Sequence, residues 1–277
     1  GLLARRLARY ANVPLVFTHH TRFADYGHYL GPLAAPGARL VDAYLRRFWA
    51  GCRAVIAPST DLAGEIQARL GPGRHRPRVH VVPTGVDVDG IRGLAAVDSR
   101  PAAGWEPAAT VVASLGRLAP EKSPTVLLEA FAAAVARAPG LRLLVMGGGP
   151  SLADLERRAG ASDLVGRVLL TGALPRPAAL ARLKGADLFA FTSRTETQGL
   201  VLAEALATGL PTIAVDGPGV RDSIRDGIDG RIVDGADDAE RARRLADALV
   251  ALAVDGERRA AMAVRAIADA DRFALAS

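Results

Sequence analysis

The sequence predicts an α/β protein built on parallel β-sheets. Short β-branched runs alternate along the 277 residues with segments rich in Ala, Leu and Arg that have a helical period. Half of the residues are hydrophobic and only 5% are aromatic, which indicates a globular protein with an aliphatic core. Such alternation is typical of parallel sheets that are covered by helices on both faces.

Each expected element follows from its local pattern. β-branched or aliphatic runs bounded by turn residues predict strands at 13–18, 54–57, 79–82, 110–115, 141–146, 168–171, 188–192, 211–215 and 232–233. Apolar residues at helical spacing predict helices at 39–49, 61–70, 124–138, 151–159, 176–183, 220–225 and 239–253, with a further helix inside 195–209.

The loss of periodicity between residues 88 and 108 predicts a boundary between two domains. Gly, Pro, Ser and Asp accumulate there, and we expect a linker at 96–109. Residues 110–277 then carry about six strands, enough for a complete doubly wound domain. Residues 1–95 carry only about three strands, so we expect them to be the C-terminal part of a domain that is truncated at its N-terminus.

The composition excludes several classes of protein. Cys52 is the only cysteine, so we expect no disulfide framework and favour a reducing, cytoplasmic setting. No apolar run approaches the roughly 18 residues that span a bilayer. The net charge of +6 suits a phosphate, an anionic lipid or a nucleic acid, although a GC-rich genome that writes Arg for Lys explains most of it. We expect no nucleic-acid partner.

Ligands of open parallel sheets bind in the loops that follow the strands, and two of these loops carry suitable residues. In the loop 116–122, Arg117 and Lys122 can point at one spot, which suits a phosphate or a diphosphate. Lysine occurs only at two positions in the chain, so Lys122 is the less expected of the two cations. The alternative is a pair of solvated loop charges.

The second loop leads into the helix expected inside 195–209. A helix N-terminus offers unpaired amides to an anion, and Gly199 leaves room for a phosphate there. Glu196, before the helix, and Glu204, about two turns further on, could accept hydrogen bonds from hydroxyl groups. Either glutamate alone is more simply read as a cap or a surface residue. Together with the two cations, the two glutamates form a set of groups that suits the diphosphate and the hydroxyl groups of a nucleotide sugar.

Other motifs suggest neither a metal nor a dinucleotide. The five histidines and Cys52 have no ligand-like spacing, so we expect no metal and no cofactor. Asp87 and Asp89 form a D-x-D pattern, but we interpret Asp87 as structural because it completes V-V-P-T-G-V-D at the domain edge. The run 147–150 follows a strand, yet it does not complete G-x-G-x-x-G.

Nearly the whole chain resembles the retaining, metal-independent glycosyltransferases of carbohydrate family 4, in which two Rossmann-like domains face each other in the GT-B architecture. The E-x7-E pair is that family's signature, and the Arg/Lys loop precedes it in the expected order. The matching motifs are V-V-P-T-G-V-D (81–87), G-R-L-A-P-E-K (116–122), V-M-G-G-G-P (145–150), T-E-T-Q-G-L-V-L-A-E (195–204), A-L-A-T-G-L-P (205–211) and D-G-I-D-G-R-I-V (226–233).

The resemblance implies a donor site around the leaving phosphate. Arg117 and Lys122 would hold the donor diphosphate, and the amides of Gly199, Leu200 and Val201 would face the phosphate. It also implies that attack and departure share one face of the sugar, with the leaving phosphate helping to take the acceptor proton.

The resemblance also implies residues for the rest of the donor and for the acceptor. Glu196 would contact the donor sugar, Glu204 would bind the ribose, and Gly172 would lie near the nucleobase. Thr197 is a further expected donor-binding residue. The segment 16–29 resembles the branch that glucosylates diacylglycerol, and it places His20 as the acceptor-side histidine. His20 and Glu196 are therefore the expected catalytic residues.

Several alternatives stay open on the sequence. UDP-glucose is the favoured donor and GDP-mannose the alternative, which would make the protein a mannosyltransferase. The chain could instead be a donor-binding fragment without turnover, or an epimerase or phosphorylase on the same fold. Arginines accompany the aromatic residues of the helix 39–49, so the protein could lie peripherally on the anionic inner face of the cell membrane, although we favour packing of these aromatic residues on the sheet.

Overall fold

The computed structural model describes residues 1–21, 34–72 and 76–275, and it confirms the parallel α/β class. The described residues separate into two compact units. The first comprises residues 1–84 together with the short segment 195–198, and the second comprises residues 85–194 and 199–277.

The first unit is a small parallel sheet covered by helices. Its strands pair in the order β1-β2-β3, with all described neighbours parallel. The strands are β1 Val16–Thr18, β2 Ala54–Ala57 and β3 Arg78–Val81, and the helices are α1 Leu2–Tyr10, α2 Ala34–Trp49 and α3 Thr60–Leu70. Phe48, Trp49 and Ile66 pack with the strands in its core, whereas Tyr44, the third aromatic residue of α2, is 45% exposed.

The second unit is a larger doubly wound parallel sheet. Its strands are β4 Thr110–Leu115, β5 Leu141–Met146, β6 Val168–Leu170, β7 Leu188–Phe191, β8 Thr212–Val215 and β9 Gly230–Val233. Its helices are α4 Val88–Gly93, α5 Pro124–Val135, α6 Leu152–Ala159, α7 Arg176–Lys184, α8 Leu200–Ala207, α9 Val220–Ser223, α10 Asp238–Val254 and α11 Gly256–Asp269. Short 3-10 turns occupy Pro120–Lys122 and Ala270–Phe273.

Helices bury both faces of the second sheet. Successive residues of a strand point to opposite faces, so Val111 enters one hydrophobic cluster and Val112 the other. The first cluster packs against α7 and α8, and the second packs against α5 and α10. This two-sided burial explains why the strands read as continuous aliphatic runs in the sequence.

The strand order of the second sheet is β6-β5-β4-β7-β8-β9. The chain first builds outwards from β4 to β6 and then returns to the other side of β4 to continue with β7. The order therefore reverses between β4 and β7, where two successive crossover connections leave in opposite directions. A crevice forms at such a reversal, outside the carboxyl ends of the strands.

Residues 85–109 fold onto the second unit, so the boundary falls earlier than the linker expected at 96–109. The Asp87 carboxylate accepts a 2.8 Å hydrogen bond from the Gly90 amide and so caps α4. The Lys184 ammonium donates to the carbonyl of Leu94 at 2.8 Å, and the Trp105 indole donates to the carbonyl of Gly166 at 3.0 Å. The Lys184 and Trp105 contacts connect residues far apart in sequence, so periodicity within the segment could not show them.

A buried carboxylate joins the β8–β9 connection to the C-terminal helices. Asp229 is fully buried and accepts a 2.8 Å hydrogen bond from the amide of Arg225. The Arg272 guanidinium lies 3.4 Å from its second oxygen, and Arg225 also pairs with Asp269. Burial raises the pKa of Asp229 to about 6, with a contribution from the neighbouring Asp269, although the Arg225 amide and Arg272 oppose the rise.

We expect Asp229→Asn to change how the free energy of unfolding depends on pH. A carboxyl group whose pKa is higher in the folded than in the unfolded protein stabilises the fold most at low pH, and this contribution falls between pH 4 and pH 6. The free energy of unfolding of the variant minus that of the parent should therefore rise by up to about 3 kcal/mol between pH 4 and pH 7 in urea titrations.

Asp163→Asn is the matched control. Its partner Arg158 lowers the pKa of Asp163, so the contribution of this carboxylate is already complete above pH 4. Its variant-minus-parent difference should stay flat between pH 4 and pH 7. A flat difference for Asp229→Asn as well would contradict the account of the buried carboxyl group.

Candidate functional site

The loops that follow β4 and β5 are fastened to each other at the carboxyl edge of the second sheet. The Leu118 amide donates to the carbonyl of Gly148 at 2.9 Å, and the Ser151 amide donates back to the carbonyl of Leu118 at 3.0 Å. A Cβ atom on Gly147 would collide with the Gly116 carbonyl, and one on Gly149 would collide with the Leu118 carbonyl. The G-G-G-P run therefore serves close backbone packing, which holds the Arg117 loop in place.

The two cations predicted for the donor phosphates lie on this loop. The Arg117 side chain is 55% exposed and is 3.5 Å from the carboxylate of Glu121. Lys122 is half-buried at the end of the 3-10 turn, and its carbonyl accepts a 3.1 Å hydrogen bond from the Thr192 hydroxyl. Because Thr192 follows β7, this bond links the loops on both sides of the strand-order reversal.

The N-terminus of α8 lies beyond β7. Gly199 precedes the helix with a left-handed φ of 74°, and its carbonyl accepts the first hydrogen bond of the turn, from the Leu202 amide at 2.8 Å. The Leu200 and Val201 amides come before that bond, so their hydrogen-bonding capacity is directed out of the helix end. The predicted amides therefore occupy the first turn of α8, where the helix dipole favours an anion.

Glu204 is a buried carboxylate of α8 with an arginine partner that the sequence reading missed. Its side chain is only 2% exposed and pairs with the guanidinium of Arg176, the first residue of α7. Nothing in the sequence joins the two positions, since they come from helices on different connections. A ligand hydroxyl group that reaches Glu204 would replace the Arg176 guanidinium as the partner of this carboxylate.

Glu196 and Thr197 belong to the short segment that clusters with the first unit. Both are half-buried, and the segment is anchored by the next residue, Gln198. The Gln198 amide group forms two 2.8 Å hydrogen bonds with the backbone of Thr84, one to its N–H and one to its carbonyl. Sequence reasoning did not identify Gln198, because the signal lies in the pairing with V-V-P-T-G-V-D rather than in either motif alone.

Gly172 lies in the loop that follows β6, next to the two fastened loops. It has a left-handed φ of 68°, and its carbonyl accepts a 2.9 Å hydrogen bond from the Gly147 amide. The loops after β4, β5 and β6 are thus connected in series along the carboxyl edge of the second sheet. The role of Gly172 near a nucleobase stays a prediction.

The two histidines that follow β1 differ in their surroundings. His19 is buried, and its ring lies edge-on to Trp49 with a centroid separation of 5.1 Å. His20 is exposed at the carboxyl end of the first sheet. Its accessibility is compatible with the predicted acceptor-side role, which stays a prediction. Residues 22–29 of the segment that suggested a lipid acceptor lie outside the described residues.

Neither a metal-binding cluster nor a membrane-spanning helix occurs in the described residues. Residues 1–21, 34–72 and 76–275 contain no group of three or more His, Cys, Asp or Glu side chains placed to hold a metal ion. In the same ranges no helix combines the length and the apolar character that crossing a bilayer requires. The expected independence from metals stays a prediction.

Two models of known protein families match this sequence and identify its family. Residues 98–268 match the model described as glycosyl transferases group 1, and residues 1–89 match that of glycosyltransferase family 4. The chain belongs to the group 1 glycosyl transferases. The two parallel sheets are accordingly Rossmann-like sheets of the GT-B fold.

Curated relatives of this glycosyl transferase include enzymes with different acceptors in their names. The chain is 34% identical over 272 residues to a D-inositol 3-phosphate glycosyltransferase of Nocardia farcinica, covering 95% of this chain and 59% of the relative. It is 31% identical over 261 residues to an alpha-monoglucosyldiacylglycerol synthase of Streptococcus pneumoniae, covering 91% and 57%. The chain thus spans less than two thirds of the length of these relatives.

Solved structures with low sequence identity share the fold. HepE of Anabaena, determined in complex with UDP and glucose, has a TM-score of 0.77 at 21% identity, covering 99% of this chain and 71% of that one. The sucrose-phosphate synthase of Thermosynechococcus elongatus has a TM-score of 0.75 at 21% identity, covering 97% and 65%.

We expect Gly199→Ala in this glycosyl transferase to weaken nucleotide binding. A side chain at a left-handed φ costs about 1 kcal/mol, and the new Cβ would lie 3.0 Å from Leu202, so the first amides of α8 should shift. Gly166→Ala is the matched control, because Gly166 has the same φ of 74° and open space around its Cβ position. Both variants should lose stability, but only Gly199→Ala should weaken UDP binding in calorimetry. Equal UDP affinity for the two variants would contradict the placement of the phosphate.

Proposed function

We propose that the protein is a retaining, metal-independent hexosyltransferase that moves glucose from UDP-glucose to the hydroxyl of a membrane lipid such as diacylglycerol. The observation that carries this proposal is the convergence of the Arg117–Lys122 loop and the N-terminus of α8 at the strand-order reversal of a group 1 glycosyl transferase. These groups supply positive charge where an open parallel sheet binds its ligand.

The charge at this edge suits the leaving group of a glycosyl transfer. The bond between the sugar C1 and the donor phosphate oxygen breaks, and a new bond forms between C1 and the acceptor oxygen. The acceptor proton moves to the leaving phosphate oxygen. Arg117, Lys122 and the first amides of α8 would stabilise the negative charge that develops on the diphosphate. Retention follows if both bonds lie on the same face of the sugar.

The two carboxylates of the E-x7-E pair would define the ends of the donor. Glu204, buried against Arg176, would receive the ribose hydroxyls, and Glu196, three residues before Gly199, would receive the glucose hydroxyls. Glucose is supported by the Streptococcus relative, an alpha-monoglucosyldiacylglycerol synthase, and UDP by the ligands of the HepE structure. GDP-mannose is the competing donor.

A lipid acceptor is supported by the same relative and by the surface of the first unit. Helix α1 buries none of its residues and exposes Leu3, Leu7 and Tyr10 beside its arginines. A basic helix with exposed apolar side chains suits a peripheral contact with an anionic membrane. His20, exposed after β1, would meet the acceptor hydroxyl. Inositol phosphate, named in the other relative, is the competing acceptor.

We expect Lys122→Ala and Glu196→Ala to lower transfer without a comparable loss of folding. Removing the Lys122 charge, which would stabilise the leaving diphosphate, should reduce kcat by about 100-fold or more. Glu196→Ala should lower transfer because the hydrogen bonds to the glucose hydroxyls are lost. The assay supplies labelled UDP-glucose or GDP-mannose with diacylglycerol vesicles or inositol phosphate, in EDTA, and follows the anomer of the product by NMR. Arg157→Ala, an exposed charge on α6, is the control and should retain full transfer.

The outcomes separate the parts of the proposal. Full transfer by Lys122→Ala and Glu196→Ala would refute the site. Transfer from GDP-mannose alone would change the donor, and an inverted product would refute retention. Because the chain spans 59% and 57% of its relatives, UDP binding is measured in parallel. Binding that depends on Lys122 without any transfer would identify a donor-binding fragment.

A further inference from the structure

A second basic site lies in the first unit, away from the residues assigned to donor and acceptor. A cavity of about 680 Å³ opens between the C-terminal ends of α1 and α2 and the starts of the strands. This volume falls in the range of small-molecule sites. Four arginines line it together with small and aliphatic side chains, and its lining contains no carboxylate: Arg5, Arg9, Arg53 and Arg76.

The charge of this cavity is not neutralised within the described part of the chain. None of the four arginines forms an ion pair with a carboxylate there, whereas arginines elsewhere, such as Arg158 and Arg244, each pair with two acidic residues. Arginines that share a cavity repel one another, and a bound anion relieves that repulsion. Guanidinium groups also suit phosphate oxygens through paired hydrogen bonds.

One of the four arginines is held in position. The Arg5 guanidinium lies against the backbone at Gly51, and its Nη1 donates to the carbonyl of Arg47 at 3.3 Å. A Cβ atom on Gly51 would lie 2.9 Å from the guanidinium carbon, so glycine is what allows this approach. Burial raises the pKa of the neighbouring Cys52 thiol, and the positive charge of Arg5 opposes the rise.

The cavity lies at the amino edge of the first sheet. Arg53 directly precedes β2, Leu15 directly precedes β1, and the Arg53 amide donates to the Leu15 carbonyl at 2.8 Å. His19 and His20 follow β1 at the opposite, carboxyl edge. The cavity is therefore distinct from the end of the sheet where the acceptor is proposed, and it does not depend on that proposal.

The geometry points to a binding site for a compact phosphate-bearing ligand in this cavity, with Arg9, Arg53 and Arg76 contacting the phosphate oxygens and Arg5 fixed behind them. The phosphate group could belong to a soluble compound or to a lipid headgroup. Both sources share the recognised chemistry, and they differ in whether a vesicle is needed for binding.

The test measures inorganic pyrophosphate binding by calorimetry in a variant whose donor site is silenced, Arg117→Ala with Lys122→Ala. We expect one pyrophosphate to bind this background. Adding Arg9→Gln and Arg53→Gln should weaken the binding by about tenfold or more, since each charged hydrogen bond to phosphate contributes substantially. Gly51→Ala, which keeps every charge but displaces Arg5, should weaken it by a smaller factor.

Arg265→Gln is the matched control, because Arg265 is an exposed arginine of α11 that neither lines the cavity nor lies on α1. It should change the affinity by less than about twofold, as expected for a screened charge outside the site. The same variants are tested on phosphatidylglycerol and phosphatidylcholine vesicles. If only the cavity variants lose affinity for pyrophosphate or for phosphatidylglycerol vesicles, the site is supported. The probe that loses affinity then shows whether the phosphate group belongs to a soluble compound or to a lipid headgroup. Equal loss with Arg265→Gln, or no binding to either probe, would overturn it.

Discussion

The reversal of strand order between β4 and β7 is the constraint on which the candidate donor site depends. It brings the loop after β4 and the N-terminus of α8 to the carboxyl edge of the second sheet. The hydrogen bond from the Thr192 hydroxyl to the Lys122 carbonyl joins the loop after β4 to the segment that leads to α8. Lys122 and Thr192, which are 70 residues apart in the chain, thereby meet at the edge where we propose that the donor phosphates bind. The glycines at 147 and 149 support this arrangement, since only they permit the neighbouring loop to approach so closely.

The structure also shows how partner residues support the two glutamates of the E-x7-E pair. Glu204 is buried in an aliphatic helix, yet Arg176 balances its charge. A buried carboxylate without a partner would be costly, so Arg176 stabilises the protein by balancing the charge of Glu204. Gln198 plays a different part, since its two hydrogen bonds to Thr84 fix the segment that carries Glu196.

Local patterns predicted the strands well because the sheets are buried on both faces and their strands stand out as aliphatic runs. The sequence reading missed α1, whose exposed leucines and arginines follow no buried stripe, and α4, whose capping Asp87 was noted only as structural. The loops of the candidate site can be predicted because each motif lies within one continuous stretch of sequence. The partners Arg176 and Thr84 cannot be predicted in this way, because they contact Glu204 and Gln198 only in the folded chain.

The most direct test of the central claim is an amide NMR titration of the isotopically labelled protein with UDP in EDTA. The account predicts the largest shifts at the amides of Leu200 and Val201 and in the Arg117–Lys122 loop, because the diphosphate would lie between them at the strand-order reversal. Shifts confined to other edges of the sheets, or binding that appears only when a divalent metal is added, would contradict it.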